Sequence, residues 1–171
     1  MEANQVLLVI DMQKEGLLNR KVFNKEKLIN NINALINNFH KHNKPIFFIR
    51  HNNNSFLKEN TDGWQICEEL NILKEDMIIN KRYSDVFKET HFLSLLKEYK
   101  ITDVVVTGLV SNGCIKAACL GAIKKGFSVL LISDAHSTFH KNAEQVILDW
   151  NSRLKEQGAE LISTSGFVKN N

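Results

Sequence analysis

Asp11, Lys81 and Cys114 are the residues of this chain whose types and placement best suit covalent chemistry. Each follows a short apolar run: Val6–Ile10 before Asp11, Met77–Ile79 before Lys81, and Val104–Val106 before the segment that carries Cys114. A cysteine attacks as its thiolate, a carboxylate can take the thiol proton and later return it, and an ammonium stabilises the thiolate and keeps its carboxylate partner ionised. The stretch Gly108–Gly126 turns from strand-like to helical pattern, so Cys114 is expected at or beside a helix N-terminus. There the helix dipole and unpaired N–H groups favour the thiolate over its ordinary pKa of about 8.5. The sequence therefore predicts a reactive thiol.

Each residue alone has an ordinary reading. An Asp after a strand can be a turn or cap residue, a lone Lys is usually solvated, and free Cys is commonly a small buried residue. Cys119, in the body of the predicted helix, reads as a core thiol, and Cys67, near Trp64 and Ile66, as structural. The trio gains force from its common position at strand ends.

The elements that must bring them together follow from periodicity. Val6–Ile10, Ile46–Ile49, Met77–Ile79, Val104–Thr107, Ser128–Ile132 and Glu160–Ser163 read as strands, the long ones apolar throughout, as in sheets covered on both faces. Between them lie helical patterns capped by Asn24, carrying Leu28, Ile32, Leu35, Ile36 and Phe39, and by Thr90, carrying Phe92, Leu95, Leu96 and Tyr99. Gly126 can end the Cys114 helix, and a last helix uses Ala143, Val146, Ile147, Trp150 and Leu154. Alternating strands and helices predict right-handed crossovers and one doubly wound α/β domain over residues 1–171. In such sheets sites form beyond the carboxyl ends of the strands, near the point where strand order reverses. If the chain winds outward from its first strand in both directions, Asp11 and Cys114 face each other across that crevice. The polar stretch from Arg50 to Glu69 is a candidate functional loop.

Composition narrows the function classes. The chain has 171 residues, 43% of them hydrophobic, enough for one domain with a real core, and a formal net charge of +3, too mild to argue for nucleic acid. No apolar run approaches the ~20 residues of a membrane span, and no cleavable signal pattern opens the sequence. Three cysteines without metal spacing suggest free thiols in a reducing cytoplasm. His40 and His42 read as helix-end residues, His91 and His140 as surface or loop residues, while His51 and His136 follow strands on the edge that carries the trio. The turn after the first strand, Asp11 to Gly16, has no phosphate-binding glycine pattern.

Three ordered motifs complete the reading: Leu7-Leu8-Val9-Ile10-Asp11-Met12-Gln13, Asn80-Lys81-Arg82-Tyr83-Ser84-Asp85-Val86-Phe87, and Gly108-Leu109-Val110-Ser111-Asn112-Gly113-Cys114-Ile115. With Gly121, Ala122, Gly126 and Asp134-Ala135 downstream, the chain resembles the isochorismatase-like cysteine hydrolases over nearly its whole length. That resemblance implies a three-layer α/β/α fold with a six-stranded parallel sheet of order 3-2-1-4-5-6. It also implies a catalytic triad of Asp11, Lys81 and Cys114, a non-proline cis peptide bond between Leu109 and Val110, and an oxyanion hole made of the Val110 and Cys114 N–H groups. Family members usually form dimers or larger homo-oligomers, so a homodimer or higher assembly is expected. Gln13, Trp64, Asn112 and His136 are the expected substrate-binding residues, with Trp64 either closing over the ligand or anchoring its loop.

Nicotinamidases of this group carry a metal site built from an Asp-x-His pair and a further His. Here the corresponding stretch reads His51-Asn52-Asn53-Asn54-Ser55-Phe56, so no metal and no cofactor are expected. Isochorismatases proper lack the nucleophilic cysteine. The expected function is hydrolysis of a C–N bond in a small amide, ureido or imide-derived substrate through a Cys114 thioester. The alternatives are a catalytically silent small-molecule-binding or scaffolding member of the fold, a nicotinamidase-type amidase, or a thiol redox protein. The last lacks a resolving partner, since Cys119 projects elsewhere from the same helix.

Overall fold

In a computed structural model, residues 4–170 are described. The strands are β1 (Gln5–Ile10), β2 (Ile46–His51), β3 (Met77–Lys81), β4 (Asp103–Leu109), β5 (Ser128–Ser137) and β6 (Glu160–Ile162). They form one sheet of order β3-β2-β1-β4-β5-β6, with every pairing parallel. The helices are α1 (Lys14–Leu18), α2 (Lys25–Lys41), α3 (Phe92–Glu98), α4 (Lys116–Lys124), α5 (Ala143–Glu156) and α6 (Thr164–Asn170), and a π-helical turn, Ser111–Ile115, leads into α4.

The period of two along a strand divides the core into two layers. Val6, Leu8 and Ile10 of β1, with Phe47 and Ile49 of β2 and Val104 and Val106 of β4, face Phe92 and Leu96 of α3, Ala118, Cys119 and Ala122 of α4, and Leu154 of α5. Leu7, Val9, Ile46, Phe48 and Val105 face the other way, against Leu28, Ile32, Leu35, Ile36 and Phe39 of α2 and Phe167 of α6. Burial on both faces explains the uninterrupted apolar runs, each such side chain contributing about 1.5–3 kcal/mol. The edge strand β3 alternates instead: Ile79 and Lys81 are buried while Ile78 and Asn80 are exposed.

Several local expectations change. Asn24 precedes α2, but it lies in the left-handed region at φ 49° and makes no side-chain cap. Thr90 does act locally, its hydroxyl accepting from Phe92 N–H at 3.2 Å while donating to the Val86 carbonyl. Strand β3 reaches Lys81, so this lysine is the strand's last residue rather than one beyond it. Strand β5 continues to Ser137 because, after a register shift, His136 pairs with Gly108 and Ser137 with Leu109. Asp134, Ala135 and His136 therefore belong to the strand. Strand β6 ends at Ile162, and the short helices α1 and α6 were not foreseen because neither is long enough to show a helical period.

Candidate active site

The switch point between β1 and β4 depends on one glycine. Gly108 is the register partner of Ile10 and has φ +112°, and a Cβ there would stand 2.1 Å from the Ile10 carbonyl oxygen. Only a residue without a side chain lets the two strands run side by side to their carboxyl ends. Directly beyond them the chain makes two departures from regular strand. Asp11 takes φ 52°, its N–H still bonded to the Ile49 carbonyl at 2.9 Å. The Leu109–Val110 peptide bond is cis. Val110 is extended, and Gly113 has non-helical φ −129° and ψ −106° inside the π-helical turn, which delivers Cys114 just before α4.

Lys81 reaches this crevice from the sheet edge. It is 2% exposed, and its Nζ donates to Asp11 Oδ2 at 3.1 Å and Cys114 Sγ at 3.1 Å and contacts His51 Nδ1 at 2.9 Å. An ammonium has three N–H donors and no acceptor, so these partners use all of them. It follows that His51 Nδ1 accepts, and the neutral imidazole carries its proton on Nε2. Burial lowers the His51 pKa, and the Lys81 charge lowers it further against the opposing effect of Asp11. The Lys81 pKa itself is raised: burial pulls it down, but Asp11 and Cys114 outweigh that.

The thiol runs against the helix-dipole expectation. Burial, joined by the neighbouring Asp11 charge, pushes the Cys114 pKa up to about 12, and Lys81 offsets only part of this. Cys114 therefore rests as a thiol. It needs a base at the moment of attack, and Asp11 Oδ1 is buried with no hydrogen-bond partner. The site pairs a thiol proton with a nearby unsatisfied carboxylate oxygen, and the Lys81 ammonium bonds to both groups.

Asp11, His51 and Cys114 also present metal-ligand atoms within 4.8 Å of one another. A divalent ion does not fit there, because the Lys81 ammonium already bonds to each of the three residues, and a second cation would meet its charge at contact distance. In the stretch that follows β2, Asn52 donates to Glu59 at 3.0 Å, and Asn53 Oδ1 closes a local turn by accepting from the Ser55 and Leu57 N–H groups.

The four residues expected to bind substrate sit differently. Gln13 is 1% exposed, and its amide is a buckle: Nε2 donates to the His51 and Trp64 carbonyls, both at 2.9 Å, while Oε1 accepts from His51 N–H at 2.8 Å. With both N–H groups engaged it holds the end of β2 and the following loop rather than facing ligand. Trp64 is buried, with the Arg50 guanidinium 3.4 Å over its ring, a placement that suits an anchor of the loop, while its indole N–H is buried without a hydrogen-bond partner. Asn112 is exposed on the π-helical turn and accepts from the Thr138 hydroxyl at 2.9 Å. His136 is buried beneath that turn, with Nδ1 2.8 Å from Ser111 Oγ and Nε2 2.8 Å from Asn151 Oδ1. The reading of the sequence did not single out Ser111 or Asn151. Neither carries a local signal, because their connection exists only once β5 and α5 are docked.

Comparison with known proteins agrees with this architecture. The isochorismatase domain model matches residues 5–165. The chain belongs to the isochorismatase family. Over 148 residues it is 30% identical to the isochorismatase family protein YddQ of Bacillus subtilis (strain 168), covering 83% of this chain and 82% of that one. It is 26% identical over 158 residues to nicotinamidase 3 of Arabidopsis thaliana, covering 83% and 77% of the two chains. Among solved structures, a cysteine hydrolase from Pseudomonas syringae pv. phaseolicola 1448A superposes with a TM-score of 0.87 at 18% identity, over 97% of this chain and 91% of that one. The fold is thus that of an isochorismatase-family hydrolase. Among the described residues no helix is long and apolar enough to cross a membrane.

Proposed function

We propose that this protein is a metal-independent cysteine hydrolase that cleaves the C–N bond of a small amide, ureido or imide-derived molecule. The observation that carries the reading is the position of Lys81 Nζ, 3.1 Å from both Asp11 Oδ2 and Cys114 Sγ, with Asp11 Oδ1 left without a partner. Asp11 Oδ1 takes the Cys114 proton as Sγ bonds to the substrate carbonyl carbon. The carbonyl oxygen becomes an oxyanion, held by the N–H groups of Val110 and Cys114. As the C–N bond breaks, the protonated Asp11 returns its proton to the leaving nitrogen, and the acyl group remains as a thioester on Cys114. Asp11 then takes a proton from water, the hydroxide adds to the thioester, and the released thiolate recovers the proton as the acid departs.

A high thiol pKa suits this sequence. A resting thiol beside an ionised carboxylate gives its proton only when a carbonyl arrives, and Lys81 then faces the transient negative charge on sulfur. The three free cysteines among the described residues fit a reducing, cytoplasmic setting. The relation to a nicotinamidase supports nicotinamide as one member of the substrate class to be tried. The test is an assay of ammonia or amine release across small primary amides, carbamoyl compounds and nicotinamide, with Cys114→Ala as the control. Release that depends on Cys114 supports the reading. No release from any of them, with no acyl adduct on Cys114, favours a binding member of the fold.

A further inference from the structure

Beneath the nucleophile lies a buried polar chain with one consistent direction of donation. Asn151 Nδ2 donates to the Ser133 carbonyl at 3.1 Å, which fixes the amide so that Oδ1 faces His136. His136 Nε2 must then be the donor in its 2.8 Å bond to Asn151 Oδ1. The imidazole is neutral, its pKa lowered chiefly by burial, so Nδ1 is an acceptor and the Ser111 hydroxyl donates to it at 2.8 Å. The next residue of the turn, Asn112, is held by the Thr138 hydroxyl, just past the end of β5 and two residues beyond His136. Gly113 closes the turn so tightly that a Cβ on it would stand 2.9 Å from Val110 Cγ2.

Resting on the proposed hydrolase reading, we infer that His136 is a positioning residue. Through Ser111, and backed by Asn151, it braces the segment Val110–Cys114 so that its two N–H groups are set for the oxyanion before substrate arrives. A preset donor pair needs no rearrangement as charge develops, which is the main source of its effect. The brace is anchored on β5 and α5, whereas the proton-handling groups stand elsewhere: Asp11 directly after β1, and His51 and Lys81 at the ends of β2 and β3. The oxyanion donors and the thiol's activators therefore have separate supports, and the two can be perturbed separately.

Two reagents at Cys114 read the two supports. Acylation by p-nitrophenyl acetate forms an S–C bond at a carbonyl, passes through an oxyanion and expels p-nitrophenolate. Alkylation by iodoacetamide forms an S–CH2 bond, expels iodide and makes no carbonyl oxyanion. Both rates are followed at the Cys114 peptide by mass spectrometry, with Cys114→Ala as the blank. Ser111→Ala is expected to slow acylation by about tenfold or more, towards the hundredfold loss of an oxyanion donor, while alkylation stays close to wild type. Ser111→Thr, which keeps the hydroxyl, is expected to restore acylation. Thr138→Val, which cuts the second tie where Asn112 can turn to water, gives a smaller loss of the same asymmetric kind. Equal loss of both rates, or no loss in either, overturns the brace; if Ser111→Ala does not fold, Thr138→Val decides by the same criterion. Wild-type protein that is alkylated but never acylated at Cys114 contradicts the hydrolase reading instead.

Discussion

His51 Nδ1 lies 2.9 Å from Lys81 Nζ, in a contact that only a neutral imidazole protonated on Nε2 can make. The histidine is thereby the third acceptor of a buried ammonium whose other two partners are the proposed base and nucleophile. Replacing it by leucine strands one buried N–H, which costs about 1–3 kcal/mol of stability, and loosens the Lys81 head group. His51→Leu is expected to unfold at lower urea concentration and to lose activity chiefly in kcat. A variant of unchanged stability and raised KM would make His51 a substrate contact instead.

The two buried histidines set the behaviour in mild acid. His51 and His136 both have folded-state pKa values below the ordinary value of about 6.5, with burial the leading cause. Below that value the unfolded chain binds protons that the folded chain refuses, so stability present above it is lost as pH falls. Urea midpoints measured from neutral pH down towards pH ~5 should decline, and the decline should be shallower in His51→Leu. A flat profile in the wild type would contradict the neutral assignments.

Removing the ammonium tests the ion pair. Lys81→Met leaves the Asp11 charge in a largely buried site, and breaking one side of a buried pair commonly costs about 3–5 kcal/mol. Lys81→Met is therefore expected to unfold at markedly lower urea concentration and to lose most of its activity. Lys81→Arg is not expected to rescue, because a planar guanidinium cannot direct three N–H groups at the same three atoms. An unchanged urea midpoint with unchanged activity would take Lys81 out of the site.

Gln13 separates a buckle from a substrate contact. Gln13→Leu removes three hydrogen bonds that join β2 to the Trp64 loop, at about 1 kcal/mol each. The variant should be less stable, and residues 52–63 should become more open to proteolysis. Unchanged stability with a raised KM would return Gln13 to the pocket.

Much of this arrangement was legible in the sequence because strand ends mark themselves. Asp11 stands where an apolar run stops, and Gly108 and Cys114 stand between a strand pattern and a helical one. Position at strand ends grouped Asp11, Lys81 and Cys114, and the fold brings Lys81 Nζ within 3.1 Å of the other two, although Lys81 belongs inside its strand: an edge strand with one buried face tolerates a lysine that aims inward. What stayed hidden depends on three-dimensional neighbours. The helix N-terminus argued for a thiolate, but burial and Asp11 dominate and raise the Cys114 pKa. Gln13, Trp64 and His136 looked like pocket residues because they are polar or aromatic near the active edge, and the sequence does not record that each is tied from within. The link between Ser111, His136 and Asn151 joins residues up to 40 positions apart, beyond any local pattern.

The measurement that bears most directly on the central claim is hydrolysis by wild type and Cys114→Ala, followed by ammonia release and by the intact mass of acid-quenched protein. The account predicts amide turnover in the wild type, an acyl adduct on Cys114 during turnover, and neither in Cys114→Ala. Equal turnover by the two proteins would contradict it.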